Sequence, residues 1–369
     1  MNGYYDYALI AGVAAVVTWT TTFAVRRLTV RFSIIVLPDE RRVHERPTPT
    51  LGGAGMYLGL LVSMIVASQI PGLSQLFRGS SDPLGLVLAA SLIFAVGMSD
   101  DLREMSAPAK LSGQILAGTV LYLFGVSMLY FRAPFFGTVV LSADLIPVMT
   151  VIWVVGMANA INLVDGLDGL AAGIVGIAAA SFFFYSHQLV RAGTIQPGSG
   201  PLFCAIVVGI CVGFLPHNFH PAKIFMGDAG ALMLGLLMAA STISVVGQTD
   251  QDFSGRTFFF FAPVIIPFLI LGIPILDTAF AIVRRAGRRV SPAEADKNHL
   301  HHRLMRLGHG QTRSVLILWT WTALLSGLVL YPSYFKGGLS VVPIGIAALA
   351  VALYTLFGVR GRTEVPKGG

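Results

Sequence analysis

The sequence has little charge and almost no cysteine. Asp, Glu, Lys and Arg make up 12% of its 369 residues, against roughly 25% in soluble domains, so a soluble globular fold is excluded. The two cysteines, Cys204 and Cys211, lie seven residues apart in one apolar run, a spacing that predicts neither a disulfide framework nor a zinc site. Convincing internal repeats are also lacking, which argues against a transporter built from inverted repeats.

What the chain has instead is a series of long apolar runs. A helix needs about 17 to 25 predominantly apolar residues to cross a bilayer, and we predict eleven such spans, at 5–25, 51–70, 84–99, 109–130, 145–163, 168–187, 201–216, 229–247, 257–283, 313–331 and 339–358. The chain is therefore expected to be an all-α polytopic membrane protein, with one transmembrane domain over 1–359 and a short tail over 360–369. No basic region precedes the first run, which favours a retained span over a cleaved signal peptide.

The basic residues are distributed unevenly between the two sides of these spans. Of the 25 Lys and Arg residues, 20 lie in alternate connecting segments or in the tail, and the five on the opposite side are Arg78, Arg132, Arg191, Arg256 and Lys336. The positive-inside rule then places the N-terminus outside and the C-terminus in the cytoplasm. The net charge of +7 follows from this placement, so we expect no nucleic-acid partner.

The stretch from Asn159 to Leu170, N-A-I-N-L-V-D-G-L-D-G-L, ends the fifth run with four polar side chains. Asn159, Asn162, Asp165 and Asp168 are separated by three residues each, and in helical geometry they share one broad face. An ionisable group in hydrocarbon costs several kcal/mol, which favours a polar site at the water boundary. A glycine-containing turn whose polar residues cap helix ends is the alternative that this stretch alone leaves open.

Two further acidic loops fall on the same side. Asp100 and Asp101 end the third run, and adjacent carboxylates repel unless a cation or a proton separates them, so they indicate a metal, a cationic group or a base, or else a plain helix stop. Lys110 begins the next run, and its side chain is expected either to face a phosphate or to extend to the membrane–water interface. Asp228 lies between Gly227 and Gly230 at the start of the eighth run, where it can bind a hard cation or cap the helix.

Two basic loops complete the cytoplasmic side. In the first, Thr50 precedes Gly52 and Gly53, whose backbone N–H groups can bind an anion at a helix start, or the glycines merely separate two spans. The longest loop carries His299, His301, His302 and Arg303 within five residues. No cysteine or second close histidine pair completes a zinc site there, whereas imidazoles with an arginine suit a diphosphate.

Five of these motifs resemble a known family as a set. D-E-R-R-V-H-E-R-P-T-P-T-L-G-G, S-D-D-L-R, N-A-I-N-L-V-D-G-L-D-G-L, H-P-A-K-I-F-M-G-D-A-G and H-L-H-H-R-L are similar, in order and spacing between about residues 37 and 310, to the polyprenyl-phosphate N-acetylhexosamine-1-phosphate transferases of glycosyltransferase family 4. The resemblance implies UDP-N-acetylglucosamine and a polyprenyl phosphate lipid as substrates. It also implies Mg²⁺ or Mn²⁺, a bacterial cytoplasmic membrane with the site facing the cytoplasm, and a homodimer.

The donor sugar is inferred from the last motif. H-L-H-H-R-L departs from the three consecutive histidines of the phospho-N-acetylmuramoyl-pentapeptide transferases, and it resembles the branch that transfers N-acetylglucosamine-1-phosphate. The muramoyl-pentapeptide reaction or another UDP-N-acetyl sugar is the enzymatic alternative. A cation-coupled transporter is the alternative outside enzymes.

The resemblance also assigns roles to the loop residues. Asp228 is the expected metal ligand, and Asp100 is expected as a base, a nucleophile or a positioning group beside Asp101. The other expected catalytic residues are Asp101, Asp168, His301 and His302. The residues expected to bind substrates are Thr50, Lys110, Asn159, Asn162, Asp165, Asn218, His299 and Arg303.

Overall fold

The computed structural model describes residues 3–32, 35–36, 47–133, 137–191, 193, 198–247, 310–334 and 342–357. Within these ranges the chain forms eleven α-helices: α1 (Gly3–Arg31), α2 (Gly52–Gln69), α3 (Pro71–Gly79), α4 (Asp82–Leu102), α5 (Ala107–Leu123), α6 (Leu145–Val164), α7 (Leu170–Arg191), α8 (Gly200–Asn218), α9 (Gly227–Thr242), α10 (Gln311–Tyr334) and α11 (Val342–Phe357). A π-helical turn over Ile243–Gly247 continues α9.

Seven of the described helices are long and apolar enough to cross a bilayer, namely α1, α2, α4, α6, α7, α8 and α9 with its π-helical turn. The chain is therefore a multi-pass membrane protein, as the apolar runs predict. A helix lies over ten of the eleven predicted runs, and the run at 257–283 lies outside the described residues. Helices α5 and α11, with 17 and 16 residues, are shorter than these seven and are not among them. The count of eleven spans and the orientation stay predictions.

Three local elements were not predicted. The short helix α3 begins at Pro71, which has the backbone angle of a first helical position, and it buries Leu73. Two antiparallel pairs accompany the helices, β1 (Ile35–Val36) with β2 (Thr48–Pro49), and β3 (Tyr130–Ala133) with β4 (Gly137–Val140). Aromatic residues in β3 and β-branched residues in β4 are the strand signal there.

Helix α9 is the centre of the bundle. Every residue from Ala229 to Thr242 is buried, and α9 packs against α4, α6, α8 and α2. The close packing depends on small residues, because a Cβ atom at Gly97 of α4 would overlap the backbone of Ala229, and one at Gly235 would overlap Ala158 of α6. These contacts bring the ends of α4 and α6 to the start of α9, where the polar motifs lie.

Candidate active site

Three charged side chains meet where α4 ends and α5 and α9 begin. The Nζ atom of Lys110 lies 3.0 Å from Oδ2 of Asp100 and also contacts Oδ2 of Asp228. Their side chains are between 18% and 27% exposed, so water and solutes reach them. One ammonium group thus offsets the charge of two carboxylates that the sequence places 128 residues apart.

The neighbouring carboxylates Asp100 and Asp101 have separate partners. Besides Lys110, Asp100 accepts a hydrogen bond of 2.7 Å from the backbone N–H group of Met105. Asp101 accepts hydrogen bonds from the backbone N–H groups of Asp228 at 2.8 Å and Ala229 at 3.1 Å. These N–H groups belong to the first turn of α9 and have no acceptor within their own helix. Asp101 therefore caps α9, which the residue preceding the helix, Met226, does not do with its own side chain.

Gly227 makes room for this cap. Its φ angle is +69°, a left-handed conformation that favours glycine. A Cβ atom at this position would overlap the carboxylate of Asp101. Gly227 thus allows both the backbone conformation at the start of α9 and the close approach of the Asp101 carboxylate.

The asparagines of the third motif reach the cluster from α6. The Nδ2 atom of Asn162 lies 3.5 Å from Oδ2 of Asp228. Three residues earlier, Asn159 pairs with Gln114 of α5, donating at 2.6 Å and accepting at 3.3 Å, and it also donates to the carbonyl of Val155. Sequence reasoning missed Gln114, although a buried amide four residues after Lys110 in an apolar run was a readable signal.

The predicted helical face over Asn159 to Asp168 is continuous only in its first half. Helix α6 ends at Val164, so Asp165 and Asp168 lie in the connection to α7 and not on the face that carries Asn159 and Asn162. After Val164 the N–H group of Gly166 donates to the carbonyl of Val164 at 2.7 Å, and Gly169, with a φ angle of +77°, directly precedes α7.

Asp168 and His220 form a carboxylate–imidazole pair. Nδ1 of His220 lies 2.7 Å from Oδ2 of Asp168, which also accepts a hydrogen bond of 3.0 Å from the N–H group of Ala222. Asp168 is buried, whereas the side chain of His220 is 38% exposed. Because Nδ1 is engaged with Asp168, Nε2 is the imidazole nitrogen left for a substrate. The sequence analysis assigned no role to His220.

Asn218 connects two loops through both ends of its amide group. Its Oδ1 atom accepts from the N–H group of Gly169 at 3.0 Å, and its Nδ2 atom donates to the carbonyl of Ile224 at 3.1 Å. The residue is 2% exposed. The structure therefore places this predicted substrate ligand between the Asp168 turn and the segment leading to Asp228.

Asp165 is the least engaged carboxylate of the site. It is half-buried, and its carboxylate makes no hydrogen bond or ion pair with the part of the chain that the structure describes. Burial, together with the smaller effect of the negative charges of Asp101 and Asp168, raises the pKa of its carboxyl to about 7. A cation near Asp165 would reverse this effect by stabilising the ionised form.

The carboxylate oxygens of Asp228 and Asp165 are of the ligand type that a hard divalent cation prefers. Mg²⁺ prefers oxygen ligands and is commonly held by one or two carboxylates together with substrate phosphates and waters. Groups of three or more His, Cys, Asp or Glu side chains that could hold a metal are absent from the described residues. The donor set therefore suits a metal shared with a substrate better than a site built from protein ligands alone.

Thr50 and the residues of the longest loop complete the predicted set. Thr50 is 7% exposed, just before α2. The hypothesis that Gly52 and Gly53 present N–H groups to an anion is wrong, because these groups donate to the carbonyls of Phe225 and Met226 at 2.9 Å each. The predicted site residues outside the described part of the chain are His299, His301, His302 and Arg303.

Comparison with known proteins connects this geometry to a family. Residues 83–246 match the model of glycosyl transferase family 4, and this segment contains the residues from Asp100 to Asp228 described above. A decaprenyl-phosphate N-acetylglucosaminephosphotransferase of Mycolicibacterium smegmatis is 38% identical over 357 residues, covering 95% of this chain and 88% of that protein.

Two other relatives extend the comparison. A probable undecaprenyl-phosphate N-acetylglucosaminyl 1-phosphate transferase of Bacillus subtilis is 34% identical over 80% of this chain and 76% of its own length. A phospho-N-acetylmuramoyl-pentapeptide-transferase of Desulforudis audaxviator is 32% identical over 84% of this chain and 93% of its own length. The resemblance seen in the five motifs is confirmed, and the chain belongs to glycosyl transferase family 4, on the branch of the polyprenyl-phosphate N-acetylglucosamine-1-phosphate transferases.

Proposed function

We propose that this chain transfers N-acetylglucosamine-1-phosphate from UDP-N-acetylglucosamine to undecaprenyl or decaprenyl phosphate. The products are polyprenyl-diphosphate-N-acetylglucosamine and UMP. The main support for the proposal is the contact of Lys110 with both Asp100 and Asp228 at one end of an apolar helix bundle. A membrane lipid with a terminal phosphate and a water-soluble nucleotide diphosphate can meet only at such a boundary. The names of the relatives at 38% and 34% identity support the same reaction.

The reaction requires charge neutralisation and alignment more than proton transfer. An oxygen of the lipid phosphate attacks the β-phosphorus of the donor, the bond to the UMP oxygen breaks, and UMP leaves with that electron pair. Phosphoryl transfer is accelerated mainly by positioning and by groups that stabilise the developing charge. Lys110 supplies positive charge at this position, and Asp100 holds its ammonium group in place.

A general base is not essential to this scheme. A phosphate monoester has a second pKa near 6, so much of the lipid phosphate is already dianionic at neutral pH. Asp100 is engaged by Lys110 and by the N–H group of Met105. These contacts support a positioning role for Asp100 over that of a base or a nucleophile.

The proposed metal is Mg²⁺, with Mn²⁺ as a substitute. Asp228 would hold it, with Asp165 as the second carboxylate, and the bound ion would neutralise the diphosphate of the donor. Asn162 orients Asp228 from the side of α6. His220, fixed by Asp168 through Nδ1, is placed to donate or accept a hydrogen bond with the donor through Nε2.

The cytoplasmic placement belongs to the same proposal. UDP-sugars are made in the cytosol, and 20 of the 25 Lys and Arg residues lie on the predicted cytoplasmic side. The loop with His299, His301, His302 and Arg303 falls on that side as well. We propose that it contacts the diphosphate or the sugar of the donor.

A parallel assay with two donors tests the proposal. The purified protein is incubated with undecaprenyl phosphate, Mg²⁺ and either radiolabelled UDP-N-acetylglucosamine or UDP-N-acetylmuramoyl-pentapeptide. With UDP-N-acetylglucosamine we expect a labelled lipid product and UMP from the wild type. The folded Asp228→Asn variant should form no product from the same donor. Product from the muramoyl donor alone would overturn the proposed sugar, and would favour the activity named for the relative at 32% identity.

A further inference from the structure

A groove separates the two C-terminal helices on the outside of the bundle. It has a volume of about 310 Å³, and Leu316, Ile317 and Thr320 of α10 line it together with Ala350, Val351 and Tyr354 of α11. Arg313 lines the same groove one turn before Leu316. The hydroxyl of Thr320 donates to the carbonyl of Leu316 at 2.7 Å, so this polar side chain needs no partner from the groove. The wall after Arg313 is therefore suited to an apolar chain.

The position of α10 in the bundle fixes which end of the groove carries Arg313. The ring of Trp319 lies 5.8 Å from that of Phe219, which directly precedes His220, and it covers Gly173 in the first turn of α7. Trp319 is thus close to the level of the candidate active site. Arg313 is six residues earlier, which corresponds to about 9 Å along a helix towards the water. Arg313 therefore lies at the same membrane boundary as the carboxylates.

The charge of Arg313 is not explained by the protein around it. The residue is exposed, and it forms no ion pair with the residues that the structure describes. It lies in the first turn of α10, where the helix dipole disfavours a cation. A guanidinium group at the membrane boundary beside an apolar groove complements a phosphate with an attached hydrocarbon chain.

We infer that this groove binds one anionic phospholipid of the surrounding bilayer. The phosphate contacts the guanidinium group of Arg313, and one acyl chain lies along Leu316, Ile317 and Ala350. The span from Arg313 to Thr320 is about 10 Å at 1.5 Å per residue, which stays within one leaflet of a hydrocarbon core of about 30 Å. The site is separate from the transfer site and does not depend on the proposed reaction.

The test measures lipid that stays bound to the full-length protein. Protein in detergent is equilibrated with an equimolar mixture of phosphatidylglycerol and phosphatidylcholine, and the bound lipids are counted by native mass spectrometry. We expect the wild type to retain phosphatidylglycerol selectively, and Arg313→Gln to bind it about fivefold more weakly, the loss typical of one basic contact near a membrane surface.

Two further variants separate the groove from general surface charge. Arg27→Gln removes an exposed arginine at the end of α1, whose guanidinium lies 4.3 Å above the ring of Phe23, and should leave retention unchanged. Ala350→Phe fills the groove while Arg313 stays, and should displace the lipid. Retention by Ala350→Leu should be intermediate, which guards against a folding defect of the phenylalanine variant.

Several results would overturn the inference. Equal losses of bound phosphatidylglycerol in Arg313→Gln and Arg27→Gln would show that the lipid is held by the general positive charge of the surface and not by the groove. Full retention in both Ala350 variants would place the lipid elsewhere. Displacement of phosphatidylglycerol by equimolar undecaprenyl phosphate would show that the groove binds the polyprenyl lipid. A dimer that dissociates in Ala350→Phe would show that the groove binds a second copy of the chain.

Discussion

The carboxylate of Asp101 accepts a hydrogen bond of 2.8 Å from the backbone N–H group of Asp228. The second of two adjacent aspartates therefore caps the helix that carries the proposed metal ligand. This contact separates the roles of Asp100 and Asp101, because Asp100 engages Lys110 instead. It also makes the position of Asp228 dependent on the end of α4, far away in sequence.

Replacement of the cap should lower both stability and activity. We expect Asp101→Ala to destabilise the protein by about 1 kcal/mol, the usual loss for a helix cap, and to reduce turnover because the start of α9 shifts. Thermal unfolding in detergent and initial rates measure the two effects. The control is Asp82→Ala, which removes a carboxylate from the first turn of α4 and should leave the rate unchanged. Wild-type turnover in Asp101→Ala would contradict the positioning role.

Removal of the ammonium group that Asp100 and Asp228 share should lower the rate of the chemical step. Lys110→Met leaves Asp100 and Asp228 without the ammonium group that contacts both. We expect kcat to fall by about 10²-fold or more, the usual loss when a charge-stabilising group is removed from an active site. Steady-state kinetics with both substrates measure it. Arg78→Gln, in the last turn of α3, is the control, and a Lys110→Met variant with normal kcat would exclude Lys110 from the reaction.

The Asp168–His220 pair should behave as one unit. Asp168→Asn and His220→Gln should each reduce kcat/KM, and the double variant should lose little more than the more impaired single variant, because the two groups are joined by a 2.7 Å contact. A double-mutant cycle on kcat/KM measures the coupling. His187→Gln, which alters an imidazole near the far end of α7, should change nothing. Strictly additive effects would show that the two side chains act independently.

Asp165 should make stability depend on pH. Its folded-state pKa is raised from 3.8 to about 7, so the folded protein binds this proton more tightly than the unfolded chain does, and stability falls as pH rises from about 4 to 7. Asp165→Asn should therefore be more stable than the wild type at pH 8, and the two proteins should differ little in stability at pH 4. Unfolding temperatures across this range measure the difference. A gain that is equal at both pH values would contradict the raised pKa.

Much of the fold can be predicted from the sequence, because hydropathy and helical length are local properties. Apolar runs located the helices from α1 to α9, except for α3, which is too short and too polar for that signal. The β3–β4 hairpin was missed because the preceding apolar run was extended to residue 130. The end of α6 at Val164 agrees with the predicted run at 145–163 to within one residue. The expectation that Asn159 to Asp168 share one helical face was wrong, because a spacing of three residues fits a helix and a turn equally well.

The candidate site could be predicted as a set of residues but not as a set of contacts. The sequence by itself determined a membrane protein with acidic and basic motifs on one side, since charge placement and motif order are written along the chain. Only the tertiary structure decided that Asp101 caps α9, that Gln114 pairs with Asn159, and that Gly52 donates to Phe225. The physical reason is that the partner in each case comes from another helix or loop, and the close packing of α4, α6 and α9 at their small residues brings it into hydrogen-bonding distance.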